Sequence, residues 1–468
     1  NGLKFVETNS SIGVEANITY CNVSHEDYPG LIRRVEISSK DDIEVVDGLA
    51  TIWPYGTYNE VTKNMSNLAV AWFDVEDVEG TNFYKNRSTT ADTAQMATVE
   101  AGNFYTSFDE YGNEYPVIYD LDVIFGNNTS LLFPESLVNS TFKELQANQV
   151  YTNKMPCAFT IASGKNIVIN SIVGQVSSKE VLIENKKSFN NDYILNKLSQ
   201  AIKIGEDITS SIDTESNIPV LDAYFKQSFL DNVLRGGYPL VFKGESEDII
   251  YHVYSRIHGD MEREYNYFSV QPSFYSQGNG NFRDVNQNRR NDVYFVKESG
   301  LFNIKSFMEM IQLDGNNPLV IKGSTISFNQ TKLDEVLLNV LTNKSVVENI
   351  LSKKFSIGEL MNSVVFENVD LKITKEKFLE IIMSHSTQDV SAAYGHGYWV
   401  DHWTYNMDLV DNYLSIYPDK AKELLFTEDY RFFESPDVVV PRSEKYLLAD
   451  EGVRQYWYYR RRTEKWNK

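Results

Sequence analysis

Between Tyr275 and Asp292 the chain reads Tyr-Ser-Gln-Gly-Asn-Gly-Asn-Phe-Arg-Asp-Val-Asn-Gln-Asn-Arg-Arg-Asn-Asp. Arg283 and Asp284, side by side, can grip neighbouring hydroxyls of one sugar ring, the guanidinium donating and the carboxylate accepting. Gly278 and Gly280 let the backbone come close to such a ring. The same residues would suit a solvated surface loop. Two details count against that: Phe282 is suited to burying the loop base, and Asn286, Gln287, Arg289, Arg290 and Asp292 leave the following helix without the apolar stripe of an ordinary surface helix.

A second constellation, Gly395-His396-Gly397-Tyr398-Trp399-Val400-Asp401-His402-Trp403-Thr404-Tyr405, opens another predicted helix. Asp401 suits its N-cap. Trp399, Trp403 and Tyr405 suit a sugar platform, although Trp403 also falls on the helix stripe and reads as core. His396 and His402 are six apart rather than four and no HExxH occurs, so no metal site is expected. GxSxG, Walker and dinucleotide-binding signatures are also missing, which removes the usual support for esterase, NTPase and Rossmann readings.

The elements that must carry these residues change character along the chain. Residues 1 to about 185 read as short strands, among them Arg33–Ile37, Leu68–Trp72 and Asp120–Phe125, separated by turn signals at Asp47-Gly48, Pro54-Tyr55-Gly56, Tyr111-Gly112-Asn113 and Gly126-Asn127-Asn128. An antiparallel sandwich follows. From Asn191 the period becomes helical, and beyond residue 220 helix is expected to predominate. Leu221, Phe225, Phe229 and Val233 form one stripe ending before Gly236-Gly237. Leu333, Val336, Leu337, Val340 and Leu341 form a second, with Thr331 and Asp334 as a capping box. Trp403, Met407, Val410, Leu414 and Tyr417 form a third, closed by Pro418. The polar stretch Glu206–Pro219 reads as the linker.

The chain has 468 residues, enough for two or three cores, with 42% hydrophobic and 23% charged residues. Aromatic content is high at 13%, which fits sugar-stacking surfaces and β-rich cores equally. A net charge of -21 argues against a nucleic-acid partner. The dense basic run, Arg454 and Arg460-Arg461-Arg462, reads as an amphipathic helix. Cys21 and Cys157 cannot make a disulfide framework, so a reducing, cytoplasmic setting is expected. No apolar run has the length of a membrane helix.

The two constellations, in this order after a strand-rich region, resemble the cellobiose phosphorylase family of inverting glycoside phosphorylases. Gln277 through Gln287 is similar to that family's glycine-rich Phe-Arg-Asp-Gln motif, with Val285 in place of Gln, and Val400-Asp401-His402-Trp403 resembles its Asp-Asp-His-Leu-Trp motif. Ile212-Asp213-Thr214 through Phe225 looks like its lead into the first barrel helix. Specific matching covers about residues 205 to 300 and 395 to 425. The resemblance implies a multidomain β-then-α chain: an antiparallel β-supersandwich over 1–186, a helical linker over 187–219, and a partial (α/α)6 six-hairpin barrel over 220–468. It implies that Arg283, Asp284, Gln287, Gln277, Asp401, His402 and Trp403 bind an oligosaccharide or disaccharide, with no cofactor, inorganic phosphate as co-substrate, and a homodimer as the family tendency.

The implied reaction is phosphorolysis of a β-glucoside or short β-glucan to a sugar 1-phosphate with inversion. Phosphate is itself the nucleophile, so one side-chain acid suffices. The family's Asp-Trp-Asn-Asp acid motif and its phosphate loop have no match in this sequence. The acid is expected beyond Lys468 in a longer chain, with Asp401 as the candidate within this one. A hydrolase or lyase on the same barrel, and a non-catalytic carbohydrate-binding protein, are the alternatives.

Overall fold

The computed structural model describes residues 3–57, 64–88, 94, 98–254, 273–278, 280–342, 344–394, 399–426, 429–434, 437–439, 442–444, 446–455 and 459–461. The chain forms two compact units, Asn1–Ile208 and Thr209–Lys468. It mixes a large antiparallel sheet with many helices. Among the described residues no helix is long and apolar enough to cross a membrane.

The first unit is built on eight strands: β1 Leu3–Asn9, β2 Val14–Asn22, β3 Gly30–Leu49, β4 Phe73–Val78, β5 Thr81–Asn86, β6 Gly102–Phe108, β7 Val117–Asp120 and β8 Pro156–Val176. They form one sheet in the order β1-β2-β3-β8-β6-β5-β4, with β7 also beside β8. Its spine is the β3–β8 ladder, which runs from Gly30 opposite Gly174 to Leu49 opposite Ala158 with one register shift. Asp47-Gly48, expected as a turn, lies inside that ladder. A Cβ on Gly48 would come within 1.9 Å of the Ala158 carbonyl oxygen, so this glycine serves close strand approach.

Because side chains alternate across a strand, β3 serves both sheet faces. Ile32, with Phe104 and Ile172, packs against Leu182 and Ile194 of two helices, Lys179–Lys186 and Asn191–Thr209. Arg34, on that face, donates to Asn170 Oδ1 at 2.7 Å and Asn191 Oδ1 at 2.8 Å. Arg33, on the opposite face, pairs with the buried Asp47 at 2.5 Å.

Two segments expected as strands are helices. Leu68–Trp72 contributes to α1, Ser66–Val70, and Asp120–Phe125 becomes a strand end followed by α2, Leu121–Phe125. Asp120 explains the second: its carboxylate accepts from the Asp122 N–H at 3.2 Å, capping the helix, and pairs with Lys154 at 3.0 Å. Among the described residues this unit also has α3 Glu135–Val138, α4 Phe142–Ala147, α5 Lys179–Lys186 and α6 Asn191–Thr209.

The second unit opens with α7 Pro219–Gly236 and the hairpin β9 Tyr238–Phe242 and β10 Ile249–Val253. It continues through β11 Gly280–Asn281, α8 Phe282–Arg289, α9 Lys297–Glu309, β12 Val320–Phe328, α10 Leu333–Val340, α11 Ser345–Leu351, α12 Ile357–Phe366, α13 Lys375–Ser384, β13 Ser386–Ala393, α14 His402–Ile416 and α15 Ala421–Phe426. Helix predominates over strand among the described residues after residue 220, as expected, but β11, β12 and β13 add a three-stranded antiparallel sheet. Two cores flank it. Ile326 and Phe328 pack with α10 to α13, whereas Ile321 packs with Phe282, Phe307, Leu409 and Val410 of α8, α9 and α14.

Local details differ from the sequence expectations in three places. The cap before α10 is Asn329, whose Oδ1 accepts from the Thr331 N–H, rather than Thr331. The stripe of α14 holds at Val410 and Leu414 but not in the first two turns, where His402, Asn406 and Leu409 are buried while Trp403 is 41% and Met407 47% exposed. The C-terminal basic run is strand, not helix, with Arg454 in Gly452–Gln455 and Arg460 and Arg461 in Tyr459–Arg461. Arg462 lies outside the described residues.

Candidate functional site

The two constellations, about 120 residues apart in sequence, meet. Phe282 and His402, the first residues of α8 and α14, stack with ring centroids 4.7 Å apart and planes at 19°. One turn on, Asn286 Nδ2 donates to Asn406 Oδ1 at 2.5 Å. Further on, Arg290 pairs with Asp408 at 2.7 Å, and Asn412 Nδ2 donates to the Arg290 carbonyl at 2.9 Å. Partners that advance together along both chains define parallel helices with their N-termini side by side. Helix α9 runs antiparallel to both, since Phe307 packs edge-on to Phe282 while Asn303 donates to the Arg289 carbonyl and Gly300 abuts Tyr413.

The sequence explains this pairing. Phe282 is fully buried and anchors the start of α8, and its N–H donates to the Leu319 carbonyl at 2.9 Å. The polar residues of α8 that left it without an apolar stripe are partly its buried face: Asn286 is 0% and Arg289 6% exposed. Asn286 Nδ2 is met by Asn406 of α14, and the Arg289 guanidinium by the Tyr254 hydroxyl and the Gly236 carbonyl.

Arg283 and Asp284 stand at the joint N-terminal end, half-buried, with Arg283 Nε 3.4 Å from Asp284 Oδ1. Asp284 Oδ2 is buried without a hydrogen-bond partner among the described residues, as is Nδ1 of the buried His402. The His402 imidazole is held down to a pKa of about 4, chiefly by burial, with Arg283 adding repulsion and Asp401 opposing both. It is therefore a neutral ring near pH 7. An unfilled carboxylate oxygen and an unpartnered ring nitrogen beside a guanidinium suit a ligand rich in hydroxyl groups, which both donate and accept.

The other expected residues divide into two groups. Asp401 and Trp403 are exposed at the same helix start, and Gln287 is half-buried on α8. Asp401 occupies the N-cap position, but its side chain makes no capping hydrogen bond, so it is not held as a cap. Trp403 lies on the surface rather than in the core. Gln277, in contrast, clamps backbone: Nε2 donates to the Ser324 carbonyl at 2.8 Å and Oε1 accepts from the Ser324 N–H at 2.6 Å. His396 and Asn279 lie outside the described residues.

Sequence reading missed what holds the far end of α8. Arg289 donates to the Tyr254 hydroxyl at 2.7 Å, and Asp292 accepts from Asn303 at 3.1 Å while bonding His252 Nε2 at 2.9 Å. All are buried, and burial with the nearby Arg289 charge lowers the His252 pKa to about 4. Only the density of polar residues after Arg283 signalled this network. It also missed Asn317, whose amide bonds the Trp399 backbone. Neither a family model nor a curated protein matches this chain.

Proposed function

We propose that the joint N-terminal end of α8 and α14 binds one ring of a β-linked glucoside, as part of an inverting glycoside phosphorylase resembling the cellobiose phosphorylase family. The observation that carries this reading is the meeting of Arg283 and Asp284 with Asp401, His402 and Trp403 across two parallel helices. Arg283 donates to ring hydroxyls, Asp284 Oδ2 and His402 Nδ1 accept from them, and exposed Trp403 offers an apolar face for stacking. The parallel pair with an antiparallel α9 between supports a barrel of helical hairpins, and the long β3–β8 ladder supports a supersandwich as the finer architecture of the first unit.

In the proposed reaction a phosphate oxygen forms a bond to the anomeric carbon as the glycosidic C–O bond breaks, and an acid gives its proton to the leaving oxygen. Asp401 is exposed beside the ring-binding groups and is the candidate acid within this chain. Incubating the protein with cellobiose or laminaribiose in phosphate buffer tests this directly. Release of glucose 1-phosphate supports it, and cleavage at an equal rate without phosphate overturns it. The lack of an Asp-Trp-Asn-Asp string in this sequence favours a second reading, ring binding without turnover, marked by saturable cellobiose binding and no product.

A further inference from the structure

Asn317 lies between α9 and β12, only 1% exposed. Its amide meets the Trp399 backbone in both directions: Nδ2 donates to the carbonyl at 3.0 Å, and Oδ1 accepts from the N–H at 3.2 Å. A side-chain amide so placed acts like one residue of an added antiparallel strand, pairing a donor and an acceptor that irregular backbone would otherwise leave to water. The segment carrying Asn317 is itself fixed. Gln312 and Asn316 close a turn through Gly315 at φ +88°, and Leu319 accepts from the Phe282 N–H while donating to the Ala393 carbonyl at 3.0 Å. Trp399 remains 40% exposed, its ring 6.3 Å from that of His402 and tilted by 27°.

We infer that Asn317 is a positioning residue for the ring-binding surface. It ties the segment Trp399–Asp401 to the start of α8, setting the Trp399 ring and the Asp401 carboxylate relative to Arg283 and Asp284 without touching the ligand. This rests on the reading of that surface as a sugar site. It adds a third stretch of sequence to the two constellations, and one that contributes backbone geometry rather than ligand contacts.

Asn317→Asp tests it. Ionised, the carboxylate cannot donate to the Trp399 carbonyl and repels it; protonated, it again offers one donor and one acceptor. Burial raises a carboxyl pKa, so mild acid restores the amide-like form. At pH 8 the variant should bind cellobiose or laminaribiose on the order of tenfold more weakly than wild type and should recover at pH 5. In protein labelled with 5-fluorotryptophan, the Trp399 resonance, assigned by Trp399→Phe, should move at pH 8 and return at pH 5. Asn317→Ala should show the loss without the recovery.

An unmoved Trp399 resonance in folded Asn317→Asp at pH 8, or ring binding equal to wild type, overturns the inference. Asn317→Ser, with a shorter arm, carries the same fluorine comparison if Asn317→Asp does not fold. Failure of wild-type protein to bind either disaccharide overturns the sugar site and with it the role in ring binding. That failure is told apart because the Trp399 signal still responds to the substitution.

Discussion

The imidazole of His402 lies against the ring of Phe282, 4.7 Å between centroids and 19° from parallel. This contact joins the first residues of two helices whose later turns stay paired, so it sets where Arg283 and Asp284 stand relative to Asp401. Burial, with the apolar ring on one side, also keeps the imidazole neutral.

That neutrality has a pH signature. His402 and His252 both titrate at about 4 in the folded chain, against an ordinary 6.5. Between those values the unfolded chain binds more protons, so stability is full above about pH 6.5 and declines as pH falls toward 4. Denaturant melts across that range should show the decline, and imidazole NMR titration should give two midpoints well below 6. A His402 midpoint near 6.5 would contradict the buried stack.

The adjacent arginines at the end of α8, Arg289 and Arg290, should behave differently. Arg289 is buried against Tyr254, so Arg289→Ala should cost about 3 kcal/mol or more in unfolding free energy, leaving buried partners unmatched. Arg290 pairs with Asp408 near the surface, and Arg290→Ala should cost about 1 kcal/mol or less. Equal losses in urea titrations would show that the two are not separated by burial.

The Asn286–Asn406 contact should be cooperative. Either single change to leucine leaves a buried amide unmatched and should cost about 1 to 3 kcal/mol. The double change removes both amides and should cost clearly less than the sum, a coupling that a double-mutant cycle measures. Simple additivity would mean that the two amides do not depend on each other.

Much of this was legible from local pattern. The helix from Asn191, the stripe of α7 around Phe229 and Val233, and Phe282 as an anchor are set by neighbouring residues. What was not legible depends on tertiary context. Asp120–Phe125 alternates like a strand, but a capping carboxylate with a lysine partner from residue 154 decides for helix. The first turns of the α14 stripe were misread because His402 and Asn406 look polar, and they become core only opposite Phe282 and Asn286. Arg289 and Asp292 read only as unusual polarity until Tyr254 and His252, more than thirty residues earlier, are brought against them. Arg283 and Asp284 were legible as chemistry, whereas their nearness to His402 was not.

The most direct measurement is calorimetric titration of the protein with cellobiose and laminaribiose, comparing wild type with Arg283→Ala and Asp284→Asn. Both substitutions lie on partly exposed side chains and should leave the melting temperature nearly unchanged. Each should weaken ring binding by about 2 kcal/mol or more, because a charged hydrogen-bonding partner is removed from a desolvated contact. Saturable binding that is lost in both variants is the expected result. Binding that persists unchanged in both would contradict the assignment of this helix end as the sugar site.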